Sequence, residues 1–337
     1  MGVLLPFVLL WLPYFAVLKR YHLVLSEGHD FQGEYYTHFM AEGGNVSSPR
    51  IQFVVFGDST ARSVLAPKKM KDLFGVNLAL NNGTAQTAYV GLQAFLARRP
   101  APNCVLFATQ YNYRRNYQEF FRGLVRYQVF GPLELQRMWF FSRAHDVFPA
   151  NQMSWLSFTI ASARAWLRLD EIPLANLDNL FNERGAKLLE REDRFEARLE
   201  SRRGFQHFSR DSILPESSFF REELHAAFLS PFRPSPSEDF YIYELARLAR
   251  ANGIRFFLAL LPVADSDQLK LVAPHIKARR QHLTQLAQNN ADIQFIPVPE
   301  TWPWAEFRDF THLNTRGARR MTKALHQAMA GPCGRIP

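Results

Sequence analysis

The chain has 337 residues, of which 47% are hydrophobic and 21% charged. That is enough for one large cored domain, or one with an inserted subdomain, and it excludes a disordered or fibrous chain. The formal net charge of +9 suits an anionic partner or simply a basic solvated surface; no zinc finger, RNA-recognition motif or long basic arm points to nucleic acid.

The first 18 residues, MGVLLPFVLLWLPYFAVL, carry no charge, and Lys19 and Arg20 follow. A stretch of this length approaches what a helix needs to cross hydrocarbon. Pro6 and Pro13 are tolerated in a membrane helix. With no small-residue cleavage site, residues 1–20 read as an uncleaved membrane anchor. The basic pair lies after the span, and the positive-inside tendency would then keep the body in the cytoplasm. The family resemblance described below favours the opposite side, and the sequence leaves that conflict open. Residues 21–50 read as a polar linker.

From there strands and helices alternate. IQFVVF (51–56) is a strand ending in Gly57-Asp58-Ser59, and a helical stretch covers 60–74. VNLAL (76–80) is a second strand ending in Asn81-Asn82-Gly83, followed by a helix over 84–99. CVLFAT (104–109) is a third, ending in Gln110-Tyr111-Asn112. The rhythm stops over 113–236, which reads as a helical insertion, either capping the site or decorating the periphery. It resumes with a helix over 237–252, a strand over 254–261, a helix over 275–290, a strand over 292–298 and a last helix over 315–329. Residues 331–337 read as a tail. The alternation predicts an α/β domain over 51–330, with a parallel sheet covered on both faces. Near-continuous apolar strands fit burial on both sides. Sites in such sheets gather beyond the carboxyl ends of the strands.

Cys104 and Cys333 are far apart in sequence and read as two buried or idle thiols, with no disulfide framework and no metal site. No cofactor is suggested.

Two motifs carry chemistry. In Gly57-Asp58-Ser59 a serine sits on a strand-to-helix turn, where its hydroxyl is presented at the sheet edge. Seen alone, Ser59 is more often a helix cap. In Asp309-Phe310-Thr311-His312 a carboxylate three residues before an imidazole can hold Nδ1–H and leave Nε2 as a base. The two motifs strengthen each other. Of their neighbours, Asp58 reads as a brace for the turn, and Arg62 reads as a solvated helix position or else as a contact for an anionic acceptor. Trp302 and Trp304 read either as platforms for sugar rings or as packing.

These motifs resemble the SGNH hydrolases, the GDSL-type esterases. The resemblance implies a three-layer, flavodoxin-like sheet, with Ser59 as nucleophile, His312 as base and Asp309 as its orienter. It also implies an oxyanion hole from the N–H groups of Ser59 and Gly83 and the side chain of Asn112. The usual third block, G-x-N-D, is replaced by Gln110-Tyr111-Asn112, without its glycine and its Asp. The anchor and insertion are more similar to membrane-anchored SGNH-like proteins that assist a membrane-bound O-acyltransferase. That likeness implies acyl transfer, acetyl first, to an extracytoplasmic polysaccharide, with the catalytic domain periplasmic. Two alternatives stay open: an esterase deacylating glycans or lipids, and a non-catalytic partner of a membrane-bound O-acyltransferase.

Overall fold

A computed structural model describes residues 50–110 (except 71 and 82), 121, 125, 130, 132–166 (except 148), 194, 198–199, 201–205, 232–265 and 273–334 (except 310). The expected anchor over 1–20, most of the linker, and Asn112 lie outside the described residues. Among the described residues no helix is long and apolar enough to cross a membrane.

In chain order the elements are β1 (Phe53–Gly57), α1 (Ser59–Val64), β2 (Gly75–Asn77), α2 (Ala85–Leu96), β3 (Cys104–Thr109), α3 (Pro132–Ala144) and α4 (Trp155–Trp166). After these come α5 (Pro236–Ala251), β4 (Arg255–Leu260), β5 (Val263–Asp265), α6 (Ala273–Gln288), β6 (Ile293–Ile296), β7 (Thr301–Pro303) and α7 (Thr315–Gly334). Five strands form one parallel sheet in the order β2-β1-β3-β4-β6. The chain leaves β1 for β2 on one side and returns to β3 on the other. The crevice between β1 and β3 is therefore the switch point where ligands enter sheets of this type.

Alternate strand residues face opposite layers. Val54 and Phe56 point into a core built with Leu92 and Phe95 of α2 and Ile242 and Leu245 of α5. Phe53 and Val55 point into a second core with Val64 of α1 and Met321, Leu325 and Met329 of α7. Both faces are thus covered, which explains the unbroken apolar runs of β1 and β3.

The expected helix over 60–74 ends early. Pro67 disfavours the helical conformation for its predecessor, and Ala66 is extended, leaving α1 with six residues and a short 3-10 turn over Pro67–Lys69. Regular pairing of β2 stops at Asn77, yet Leu78 N–H and Leu80 N–H still donate to the carbonyls of Val55 and Gly57. A small parallel ribbon of β5 and β7, unforeseen because its strands have three residues each, supports the loop before α7.

Described parts of the insertion lie in two places. On one side, α3 packs on α2 and α5 through the contacts of Phe141 with Tyr89 and Tyr241. On the other, the carbonyl of Arg203 accepts from Asn77 N–H at 2.9 Å, blunting the open edge of β2.

The expectation of idle thiols is corrected. Cys104 and Cys333 form a disulfide, with Cα atoms 5.5 Å apart across 229 residues of sequence. Sequence distance misleads because α7 runs on through 331–334, back to the start of β3. There Asn103 Nδ2 donates to Cys333 O and Arg255 Nη1 to Pro332 O, both at 2.7 Å. Closing so long a loop contributes roughly 5 kcal/mol by chain entropy.

Candidate active site

The turn after β1 is built for close approach. Gly57 has φ +150°, and a Cβ there would lie 1.9 Å from Ala108 O of the neighbouring strand. A Cβ on Gly83 would lie 1.9 Å from Gly57 O. Only glycines bring these strand ends so close together.

Asp58 caps α1. Its Oδ1 accepts from Thr60 N–H at 3.0 Å and Ala61 N–H at 3.3 Å, and it also holds the Thr60 hydroxyl. Its Oδ2 accepts from Thr109 Oγ1 and Gln110 N–H beyond β3, at 3.3 and 3.4 Å. Asp58 is thus the brace the sequence suggests. At the other end of the helix, Asn77 Nδ2 donates to the carbonyls of Ala61 and Leu65, each at 3.1 Å. With both ends held, Ser59, the first residue of α1, has little freedom.

Arg62 departs from the expectation of a solvated position. α1 is wedged between the sheet and α7, and Thr60 through Val64 are all buried. Trp302 is buried in the second core with the Arg320 guanidinium 4.4 Å from its ring centroid, so its role is packing. Trp304 packs partly buried against the same core.

The second half of the site is a hairpin-like turn closed by the Phe307–Leu313 bridge and by Arg308 N–H donating to His312 O at 2.8 Å. Buried Asn314 anchors it. Its Nδ2 donates to Ala305 O at 2.8 Å and Phe307 O at 3.1 Å, while its Oδ1 caps α7 through the N–H groups of Arg316 and Gly317. Within the turn, Asp309 Oδ1 accepts from Thr311 N–H at 3.0 Å and His312 N–H at 2.8 Å.

Ser59, His312 and Asp309 stand in a hydrogen-bonded line. His312 Nδ1 lies 3.0 Å from both carboxylate oxygens of Asp309, and His312 Nε2 lies 3.0 Å from Ser59 Oγ. An ionised carboxylate only accepts, so Nδ1 carries the proton and Nε2 is left to accept from the serine hydroxyl. Burial raises the pKa of Asp309, but the hydrogen bond and charge of His312 and the two backbone N–H groups outweigh it and hold the carboxyl at about 2. Asp309 therefore stays ionised at neutral pH.

The expected oxyanion donors fare differently. The N–H groups of Thr60, Ala61 and Arg62 are taken by Asp58, whereas that of Ser59 has no acceptor among the described residues. Gly83 does stand at the site edge, but its N–H donates to Leu80 O at 3.0 Å and so belongs to the turn.

Gln110, in place of the resembled family's glycine, has a role that the motif comparison did not suggest. Its Nε2 donates to Thr311 O at 3.3 Å and Pro262 O at 3.5 Å, tying β3 to the histidine turn and to the end of β4. Asn77, Gln110 and Asn314 were all missed as site-building residues. The only hints were a polar residue inside the apolar run 76–80 for Asn77 and one just past the run 104–109 for Gln110. Among the described residues no group of three or more His, Cys, Asp or Glu stands close enough to hold a metal ion.

No family model matches the chain, and no curated protein does. A solved chain from Streptococcus pneumonia, provisionally described as a platelet activating factor, aligns over 89% of this chain and 91% of its own. Identity is 12% and the TM-score 0.40.

Proposed function

We propose that this protein moves acyl groups, acetyl first, through Ser59, and that its acceptor is a hydroxyl of an extracytoplasmic polysaccharide. The reading is that of an SGNH-type serine enzyme. The observation that carries the chemistry is the unbroken Ser59–His312–Asp309 line at the switch point of a parallel sheet.

His312 Nε2 takes the hydroxyl proton as Ser59 Oγ bonds to an ester carbonyl carbon. The tetrahedral oxyanion is stabilised by Ser59 N–H, one such donor typically lowering a barrier by about 3–4 kcal/mol. The C–O bond to the leaving alcohol breaks, and His312 returns the proton to that alcohol. In the second half His312 takes a proton from the acceptor hydroxyl, which attacks acyl-Ser59, and gives it back to Ser59. Water in place of the acceptor makes the same cycle a hydrolysis. That second reading is favoured by the partial exposure of the His312 and Asp309 side chains, at 24% and 22%, since water reaches them.

The disulfide supports a domain held in an oxidising compartment, because such bonds persist outside the cytosol. With the uncharged N-terminal stretch, it favours the outer face of a membrane. A membrane-bound O-acyltransferase remains a candidate donor of the acyl group.

The test offers the purified chain an activated acetyl ester with and without an oligosaccharide acceptor. Acetylated sugar supports transfer, and acetate alone supports hydrolysis. Neither product refutes the enzymatic reading, and equal turnover by Ser59→Ala refutes Ser59 as the nucleophile.

A further inference from the structure

Among the described residues, the large hydrophobic side chains left open to solvent all lie on α3 or α4. They are Leu133, Phe140, Trp155, Leu156 and Ile160, each 41–68% exposed. The inward sides of the two helices are already satisfied: Leu135, Met138 and Trp139 of α3 and Phe158 of α4 are buried in the first core. The outward residues are therefore a second apolar face, beyond what the fold consumes. It is continuous across the helix pair. Phe140 stacks on Trp155 with centroids 5.6 Å apart, over Trp139, which contacts Trp155 at 5.6 Å and Phe158 at 5.2 Å.

The fully exposed charges on the same helices are all basic. Arg137, Arg143 and Arg164 are exposed, and Glu134 is the single acidic residue within α3 and α4. Apolar side chains with a tryptophan, flanked by arginines, are the composition of helices that lie in a membrane interface. Tryptophan suits the headgroup level, and arginine pairs with anionic lipid. The chain as a whole carries the same sign, at +9.

We propose that the outer face of α3 and α4 seats on an anionic lipid bilayer, laying the domain against the membrane surface. The inference uses the membrane reading of residues 1–20 only for proximity. It concerns lipid contact and not turnover, so either can fail alone.

The test uses the full chain. Cys104 and Cys333 are joined to each other, so a single added thiol can be labelled. Leu156→Cys carries a bimane probe, and Lys323→Cys, exposed on α7, is the control. Each is mixed with vesicles of phosphatidylcholine, with or without phosphatidylglycerol, containing a shallow doxyl-lipid quencher. A face buried about 5–10 Å into the headgroup region gives a blue shift and several-fold stronger quenching at 156 than at 323. The effect requires phosphatidylglycerol and falls in Arg137→Glu/Arg143→Glu, with circular dichroism unchanged. Equal quenching at the two positions overturns the proposal, as does equal quenching in both vesicle types. A blue shift without lipid that grows with protein concentration also overturns it and identifies a second copy as occupant. One that is independent of concentration does so too, placing another part of the same chain on this face.

Discussion

Replacing Asp309 by asparagine separates catalysis from folding at one atom. Asparagine keeps an oxygen where Oδ1 accepts from Thr311 N–H and His312 N–H, so the turn can persist. It replaces the other oxygen with an NH2 that cannot accept from Nδ1–H. Standing 3.0 Å from Nδ1 in the place of Oδ2, that NH2 donates to an unprotonated Nδ1 and so favours the tautomer with Nε2 protonated. The imidazole then cannot take the Ser59 proton. The equivalent change in the well-studied serine protease triad lowers kcat about 10⁴-fold, or about 5 kcal/mol of barrier. A loss of this order in kcat/KM is expected here, with KM little changed. Stability moves less. The carboxyl falls from its ordinary 3.8 to about 2 on folding, a contribution of about 2 kcal/mol at neutral pH. Because the folded value is the lower one, this contribution is full above pH 3.8 and is lost as pH falls towards 2. The assay pairs ester hydrolysis with urea denaturation of both proteins near neutral pH and at about pH 3, where linkage narrows their stability gap. A variant retaining activity within tenfold of the parent would refute the role given to Asp309.

Other outcomes follow from the same geometry. Gly83→Ala forces a Cβ to 1.9 Å from Gly57 O, so thermal denaturation should reveal a loss of at least about 2–3 kcal/mol and a fall in turnover. Asn77→Ala leaves the last carbonyls of α1 unpaired in the interior and should cost about 1–3 kcal/mol in chemical denaturation. Denatured, unreduced protein should show no free thiol, and Cys333→Ser should lower the unfolding free energy by roughly 5 kcal/mol. In Gln110→Ala the histidine turn loses its tie to β3; kcat should drop while KM holds, and Gln110→Glu should not restore it, since a carboxylate cannot donate to Thr311 O.

The parallel sheet was legible because β1, β3 and β4 are apolar runs that only burial on both faces explains. Ser59, Asp309 and His312 were legible because each stands where a run ends or the last helix is about to begin. Asn77, Gln110 and Asn314 escaped notice. A lone amide has no period, and its partners lie up to 201 residues away, as with Gln110 and Thr311. Arg62 was misread because helical periodicity assumes a solvated side, and a six-residue helix between sheet and α7 has none. The disulfide was missed for a related reason: the path of α7, rather than the spacing of the cysteines, brings Cys333 to the start of β3.

The most direct measurement is intact-protein and peptide mass spectrometry after treatment with a fluorophosphonate, which traps an activated serine. If His312 activates Ser59, one equivalent adds to the peptide containing Ser59, and Asp309→Asn and His312→Ala slow the addition by orders of magnitude. No adduct on Ser59 under conditions where the protein still turns over an ester would contradict its role as nucleophile.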